Sequence, residues 1–311
     1  MLTNLFNGIG LGSVYAIIAL GYTMVYGIAK MLNFAHGDVI MVGGYASYCT
    51  MMYLGWPPAA ALLFSMAICT VLGVLVERLA YKPLRNASNL AVLITAIGVS
   101  YFLQNAALLI WSSNPKVFPN IFNMPFFQGV TASAASVSAD AAAAADTASS
   151  GVFSVKQRGT LITIVVNLII MAGLTLFTSK TKMGKAMRAV SEDRGAATLM
   201  GINVNRTISM TFAIGSGLAA IAGVLLCATY PNLVPTTGSM PGIKAFVAAV
   251  FGGIGSIPGA MIGGILLGVI EITARALVPT VPSDIFVFAV LIIVLLVKPS
   301  GLFGKTVREK V

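Results

Sequence analysis

The chain is a succession of apolar stretches separated by short polar connections. The stretches cover residues 6–29, 38–54, 58–77, 90–111, 160–178, 207–229, 243–254, 258–275 and 285–297. Because a helix needs about 20 mainly apolar residues to cross a bilayer, the pattern predicts an all-α, polytopic membrane helical bundle with about 8–9 membrane segments. The stretch 243–254 is short for a crossing, so it either crosses or is re-entrant.

Composition agrees with a membrane protein and excludes two other classes. Of the 311 residues, 58% are hydrophobic and only 9% are charged, against roughly 25% charged residues in soluble domains. A soluble enzyme could not cover its surface with so few polar groups. The formal net charge is +10, but the basic residues lie at the ends of apolar stretches rather than in a stripe. This distribution argues against nucleic acid as a partner.

The placement of Lys and Arg predicts the orientation of the chain. If the N-terminus is outside and all the stretches cross, the inner loops hold fourteen of the nineteen basic residues. Cytoplasmic loops of membrane proteins carry such an excess. We therefore expect the N-terminus outside and the C-terminus in the cytoplasm.

The predicted extracytoplasmic loop, residues 112–159, contains a low-complexity tract. Residues 131–150 include ten Ala and five Ser, interrupted by Asp140 and Asp146. Such a composition cannot bury a core, so it favours a disordered insertion over a partner-binding segment.

The predicted cytoplasmic loop, residues 180–206, is different in kind. Its periodicity predicts one short amphipathic helix, and Gly201 is a natural helix stop. Such a helix rests either on anionic lipid or in a groove of a cytoplasmic partner. The residues at helical spacing are Met183, Ala186, Met187, Val190, Ala197 and Met200.

Small residues recur one helical turn apart in several stretches. Such pairs let helix backbones approach closely in lipid, so we interpret them as packing positions. The pairs are Gly8 with Gly12, Ala219 with Gly223, Gly259 with Gly263, and Gly264 with Gly268.

Three polar side chains lie between the first two stretches: Asn33, His36 and Asp38. Asp38 at the start of a helix favours a capping role, because its carboxylate can bind free backbone N–H groups. Alternatively, the three residues lie in a break between helices and line a pathway or gate, since charged groups at membrane depth are costly and need a reason. Both interpretations remain open.

The acids Glu77 and Glu271 look peripheral. Glu77 is followed by Arg78, and Glu271 lies one helical turn from Arg275, so local pairing suffices for both. An ion-coupled carrier needs a deeply placed acid, so this placement argues against ion coupling.

No enzyme, metal or cofactor site is predicted. The chain has one His and three unpaired Cys, and it lacks the common hydrolase and zinc motifs. Two glycine-rich segments, 252–258 and 299–306, only approach nucleotide-binding patterns. If the protein works with ATP, another chain must bind it.

The sequence resembles the permease subunits of branched-chain amino acid ABC importers (LivH-type) in segments that run in order along nearly the whole chain. The segments are GLGSVYA at 10–16, LGYTMVYG at 20–27, NFAHGD at 33–38, ERLAYKPLR at 77–85, LITAIGVS at 93–100 with LQN at 103–105, RAVSEDR at 188–194 with GINV at 201–204, GGIGSIPGA at 252–260, and PSGLFG at 299–304. The tract at 131–150 has no counterpart in the family.

The resemblance implies a single permease domain over residues 1–311, in the inner (plasma) membrane of a prokaryote. It implies import of branched-chain or other amino acids by alternating access. The implied partners are a second homologous permease, two cytoplasmic ATP-binding subunits and an extracytoplasmic solute-binding protein. The alternative function is an ion-coupled secondary amino acid carrier.

The resemblance also implies roles for particular residues. It identifies 180–206 as the loop that couples the permease to the ATPase. It adds Gln104 and Asn105 to the candidate pathway or gate residues Asn33, His36 and Asp38. The implied coupling residues are Arg188, Glu192, Asp193, Arg194, Ala197 and Gly201.

Overall fold

The computed structural model describes residues 2–85, 87–119, 121, 155–278, 282–298 and 301–304. The Ala/Ser-rich tract at 131–150 lies outside these residues. Within them, a helix is present at each of the predicted apolar stretches. These helices are α1 (Leu2–Ala29), α2 (His36–Tyr53), α3 (Pro58–Val76), α4 (Asn89–Trp111), α5 (Val155–Lys180), α8 (Val204–Thr229), α9 (Ser239–Gly252), α10 (Ile257–Leu277) and α11 (Ser283–Val297), with α6 (Lys182–Glu192) and α7 (Arg194–Leu199) between α5 and α8.

Six helices in the described part of the chain are long and apolar enough to cross a membrane: α1, α3, α4, α5, α8 and α10. The helix α2 has 18 residues, while the apolar helices α9 and α11 have 14 and 15. In the described part of the chain, two short strands, β1 (Lys116–Val117) and β2 (Asn232–Leu233), pair in antiparallel orientation. The prediction of an all-α, polytopic membrane protein is thus confirmed.

We call the two ends of the bundle the Lys30 end and the Tyr230 end. At the Lys30 end, α1 meets α2, and Arg194 of α7 donates a hydrogen bond to the carbonyl of Ala29. At the Tyr230 end, α8 ends beside the first turns of α1 and the last turn of α10.

The helix α1 is the centre of the bundle. In the apolar part of α1, 94% of the residues are buried. The corresponding shares are 83% in α8 and 11% in α4. The helices α5, α8, α9 and α10 surround α1, whereas α4 contacts the bundle through α2 and the turn after α3. Positions on α1 are therefore core positions, and α4 is peripheral.

The predicted small-residue positions lie at backbone contacts. A Cβ on Gly268 of α10 would lie 2.2 Å from the backbone nitrogen of Gly12 on α1. A Cβ on Gly223 of α8 would lie 2.3 Å from the carbonyl oxygen of Ile40 on α2. Only glycine allows such an approach, so these positions set the distances between α1 and α10 and between α8 and α2.

After α8 the chain turns back into the bundle before α9 begins. Leu233 is fully buried and lies against Gly44 of α2. Further along, Gly238 packs on Gly37 at the start of α2. The helix α9 then runs to the Lys30 end, where Gly253 contacts Gly304. A short strand, a turn at 235–238 and a 14-residue helix together connect the two ends.

The expectation of one helix in the loop 180–206 is wrong, because the structure has two. The break is at Asp193, whose backbone is extended and whose carboxylate accepts hydrogen bonds from the backbone N–H groups of Gly195 and Ala196, at 2.7 and 3.0 Å. Asp193 is thus the N-cap of α7. The stop at Gly201 is confirmed, since its φ of +79° follows directly on the end of α7.

We expect Gly268→Ala to destabilise the protein, because the added Cβ collides with the α1 backbone. The cost is about 1–3 kcal/mol, as is typical of overpacked cores. The matched control is Gly98→Ala, since a Cβ on Gly98 in α4 meets nothing within 4 Å. Thermal unfolding of the detergent-solubilised protein measures both, and equal shifts in midpoint would contradict the packing role.

Candidate functional site

The connection between α1 and α2 is held by side chains from neighbouring elements. Lys30 ends α1 with a positive φ of +53°. Asn33 is buried, and its Oδ1 accepts a hydrogen bond of 2.8 Å from the hydroxyl of Tyr81. Tyr81 lies in a π-helical turn, Glu77–Tyr81, that continues α3. The break is therefore fixed to the end of α3 rather than exposed to solvent.

Asp38 does not act as a helix cap. The N-cap of α2 is Ala35, and no side chain caps this terminus. The buried Asp38 carboxylate instead accepts a hydrogen bond of 2.9 Å from Nε2 of Gln104 on α4. The same amide nitrogen lies 3.2 Å from the hydroxyl oxygen of Ser239, the first residue of α9. We call Asp38, Gln104 and Ser239 the Asp38 cluster; it joins α2, α4 and α9.

His36 lies beside this cluster in an aromatic setting. Its ring is 1% exposed and stands edge-on to Tyr22, with ring centroids 4.7 Å apart. A Cβ on Gly21 would lie 2.5 Å from Nε2 of His36, so Gly21 makes room for the imidazole. This Nε2 has no hydrogen-bond partner among the described residues.

Asn105 is separated from the other candidate pathway residues. It is exposed on α4, and its side-chain amide donates to the carbonyl of Tyr101 in the same helix at 2.7 Å. The structure thus brings Asp38 and Gln104 together, with His36 and Asn33 nearby on the α1–α2 connection, and leaves Asn105 outside the group.

The expectation that Glu77 is peripheral and paired with Arg78 is wrong. Glu77 is fully buried, and its carboxylate binds Arg85 and accepts a 2.6 Å hydrogen bond from Ser209 of α8. Arg85 also donates to Asn205 of α8. We call these four residues the Glu77 cluster. It fastens the end of α3 to the start of α8 at the Lys30 end.

Glu271 is also fully buried rather than peripheral, although its predicted pairing with Arg275 is confirmed. Lys244 of α9 lies 2.7 Å from Glu271 and 2.6 Å from Asp284 of α11. The hydroxyl of Tyr15 on α1 donates to Glu271 at 2.9 Å. These five residues form the Glu271 cluster. Its two acids and two bases balance, as buried charges require.

Glu77 and Glu271 are therefore neutralised by cations of the same chain. A carboxylate that carries a coupling ion or proton must change its partner during the cycle. In the described residues, Glu77 and Glu271 are instead held in networks that join helices, and this pairing makes them poor carriers of a coupling ion. The buried Asp38 differs from them, since it is bound by an amide and not by a cation.

The coupling-loop residues predicted from the sequence lie at the Lys30 end. Arg188 donates twice to the carbonyl of Thr178 in α5, at 3.0 and 2.6 Å, and Arg194 donates to that of Ala29 at the end of α1. Burial, reinforced by the nearby guanidinium of Arg85, lowers the pKa of Arg194. Glu192 is exposed at the end of α6. The two arginines attach the loop to the carbonyl ends of two long helices.

The apolar face of the loop packs largely onto the protein's own bundle. Met187, Val190 and Ala197 are buried in the protein's own core. Met200, which was expected on this face, is 82% exposed, and the adjacent Leu199 is 90% exposed. The amphipathic pattern of the loop thus reflects its packing onto the bundle. The large apolar side chains that stay exposed in this loop are Leu199 and Met200, at the tip of α7.

Several residues of these clusters were not anticipated from the sequence: Tyr81, Arg85, Ser239 and Lys244. Lys244 is 5% exposed and lies between helices, against Glu271 and Asp284. A lysine within an otherwise apolar stretch was the available indication that a buried acid must lie nearby, because an unpaired charge is costly there.

Comparison with known proteins shows which family the sequence of this chain matches. The family model described as "Branched-chain amino acid transport system / permease component" matches residues 4–295. The high-affinity branched-chain amino acid permease proteins LivH of Salmonella typhimurium strain LT2 and of Escherichia coli K12 are each 45% identical over 318 aligned residues, covering 100% of this chain and 97% of each relative. BraD of Pseudomonas aeruginosa PAO1 is 43% identical, with 100% and 98% covered.

These matches confirm the resemblance seen in the sequence, and they support an importer rather than an ion-coupled carrier. They also confirm a multi-pass protein of the inner membrane, since six helices of the described chain qualify as spans. Members of this group are transport subunits rather than enzymes. The chain belongs to the family of permease components of branched-chain amino acid transport systems.

Proposed function

We propose that this chain is the permease subunit of an ATP-driven importer that moves branched-chain amino acids delivered by a binding protein. The relatives named above are permeases of branched-chain amino acid transport, and the identity extends over the full chain. The proposed mechanism rests on one observation. The loop helices α6 and α7 are attached to α1 through Arg194, and their buried face packs in the core.

The proposed topology has the N-terminus outside and the C-terminus in the cytoplasm. The Lys30 end is then cytoplasmic, in keeping with the basic residues of the loops there. Nine segments cross, and residues 230–252 make one crossing as a non-helical piece followed by α9. The loop 112–159 is extracytoplasmic.

The partners proposed are a second homologous permease, two ATP-binding subunits and an extracytoplasmic solute-binding protein. The exposed tip of α7 (Leu199 and Met200) is the contact with an ATP-binding subunit. Two large apolar side chains that are 90% and 82% exposed on a polar loop are a typical anchor for a groove. The peripheral helix α4 leaves one side of the pathway open to the second permease.

The proposed coupling starts from this contact. When the ATP-binding subunits close, α6 and α7 move as one packed unit. Because Arg194 holds the last carbonyl of α1, this movement reaches the α1–α2 connection, where Asn33 is fixed to Tyr81. The Asp38 cluster lies on the next turns of α2, so its hydrogen bonds are the gate that the movement opens.

Alternating access then requires that the partners distinguish the two states. A ligand with equal affinity for both states shifts nothing. ATP favours the outward-open state through the loop helices, and the docked binding protein favours it from the other side. The amino acid needs only weak contacts along the path.

The test of this function is reconstitution. The chain is first purified gently from native membranes, and the proteins that accompany it are identified by mass spectrometry. The complex is then placed in liposomes, and uptake of labelled leucine is measured with the binding protein and ATP. We expect uptake that needs ATP and resists ionophores. Uptake that ceases when ion gradients collapse would instead support a secondary carrier.

Charge reversal at Glu192 should uncouple transport without unfolding the protein. Glu192 is exposed and pairs with no described residue, so Glu192→Lys changes only what a partner meets. We expect ATP hydrolysis that no longer responds to the binding protein. Glu192→Gln, which removes the charge without reversing it, is the milder control. Wild-type uptake in Glu192→Lys would refute the coupling role.

Polar substitution at the tip of α7 should weaken assembly. In Leu199→Ser with Met200→Ser the apolar contact is lost, so less ATP-binding subunit should co-purify. The control pair, Leu199→Met with Met200→Leu, keeps the apolar surface and should assemble normally. If both pairs retain the ATP-binding subunit equally, this contact lies elsewhere.

Gln104→Leu should reduce uptake while leaving assembly and thermal stability close to wild type. The substitution removes the Gln104 donor to Asp38, while Ser100 of the same helix still hydrogen-bonds to this carboxylate. The matched control is Asn105→Leu on the next position of α4, whose amide bonds only to its own helix. An equal loss in both variants would show that α4 acts through packing and not through the Asp38 cluster.

A further inference from the structure

A cavity of about 320 Å³ lies at the Tyr230 end, apart from the Asp38 and Glu77 clusters. Residues of α1, α5, α8 and α10, together with Tyr230 after α8, line it. Its polar lining side chains include Asn4, Asn7, Tyr230 and Arg275, and its apolar ones include Leu11, Ile272 and Ala276. Leu11 shares a face of α1 with Asn4 and Asn7, and Ile272 shares a face of α10 with Arg275, so polar and apolar side chains lie side by side along both helices.

The polar lining includes hydrogen-bonding groups without a partner among the described residues. The amides of Asn4 and Asn7 and the hydroxyl of Tyr230 line the cavity and make no hydrogen bond among the described residues. An amide and a phenol can each donate and accept. These groups can therefore accept hydrogen bonds from an ammonium group.

Arg275 supplies a positioned cation. Its Nε donates to Ser283 at 3.0 Å and its Nη2 binds Glu271, which together hold the guanidinium in place. Its remaining nitrogen, Nη1, makes no hydrogen bond within the described chain, and the side chain is 48% exposed. A fixed guanidinium with a free edge is well suited to a carboxylate.

The charge balance favours a zwitterion over an anion. Arg275 belongs to the Glu271 cluster, where two bases already face two acids. An added anion would leave one negative charge in excess in this partly buried region. A ligand with one carboxylate and one ammonium leaves the balance unchanged.

The size and floor of the cavity favour a small ligand with an apolar side chain. Ligand sites are commonly about 300–1,000 Å³, so this cavity is at the lower limit. Its floor includes Leu11, which is only 6% exposed, and Ile272.

We infer that this cavity is a binding site for a small zwitterionic amino acid with an aliphatic side chain. Arg275 binds the carboxylate, the groups of Asn4, Asn7 and Tyr230 bind the ammonium, and Leu11 and Ile272 contact the side chain. This inference rests on the proposed function for its sidedness, since it makes the cavity the first place on the permease that receives an amino acid from outside.

The experiment measures binding of labelled L-leucine to the purified full-length chain in phosphatidylcholine nanodiscs. We expect saturable binding. Leucinamide, which lacks the carboxylate, and 4-methylpentanoate, which lacks the ammonium, should compete about tenfold more weakly or worse, because each loses a charged hydrogen bond.

Two variants and one control locate the site. Arg275→Gln should weaken binding at least about tenfold for the same reason. Ala276→Trp fills the cavity and keeps every ion pair, so it should abolish binding even if Arg275→Gln folds poorly. Thr273→Trp adds the same bulk on an exposed position of α10 that does not line the cavity, and it should bind as wild type.

Each outcome decides the inference separately from the proposed function. Undiminished binding in Ala276→Trp, or no binding to a chain whose assembled importer still transports leucine, overturns the inference and leaves the function standing. Binding that disappears when the nanodiscs contain phosphatidylethanolamine assigns the cavity to a lipid headgroup and also overturns it. If the importer moves no branched-chain amino acid, the function fails, whereas leucine binding that is lost in Ala276→Trp and kept in Thr273→Trp still supports the site.

Discussion

The close approach of α1 to the backbones around it is the constraint on which the other features depend. In lipid no hydrophobic force drives helices together, so tight contact requires small residues at the seam. Gly12 and Gly268 meet there with no space for a side chain. This contact makes α1 the axis of the bundle, and it lets Tyr15 reach Glu271 while the last carbonyl of α1 reaches Arg194.

Buried charged side chains hold the elements that are not held by close glycine contacts. The Glu77 cluster fastens a π-helical turn to α8, and the Glu271 cluster fastens the short helix α9 to α10 and α11. Both clusters place an acid with no exposed surface against cations, which is the condition under which such charge is tolerated. The irregular parts of the bundle are thus held by charged contacts, whereas the Asp38 cluster is held by hydrogen bonds from uncharged side chains.

The helices could be predicted from the sequence because each is an apolar stretch, and the glycine seams and the stop at Gly201 because their spacing is local. Asp38 was a candidate from its polar character between two apolar stretches, whereas Gln104 and the coupling role of 180–206 came from the resemblance to a family. The contact between Asp38 and Gln104 was not predicted. The partners of Glu77 and Lys244 could not be found, since Ser209 and Glu271 are distant in sequence and nothing local identifies them. The break at Asp193 was missed because a capping carboxylate competed with a continuous helical period.

The position of Lys244 bears on how the protein is assembled. An apolar stretch of 14 residues that carries a lysine is a poor substrate for independent insertion into the bilayer, since a central lysine costs roughly 2.5–3.5 kcal/mol. Its counter-charges, Glu271 and Asp284, are synthesised later, on α10 and α11. In the proposed topology the Lys244 charge is paired only once α10 and α11 have been made, so we expect α9 to enter the membrane together with them.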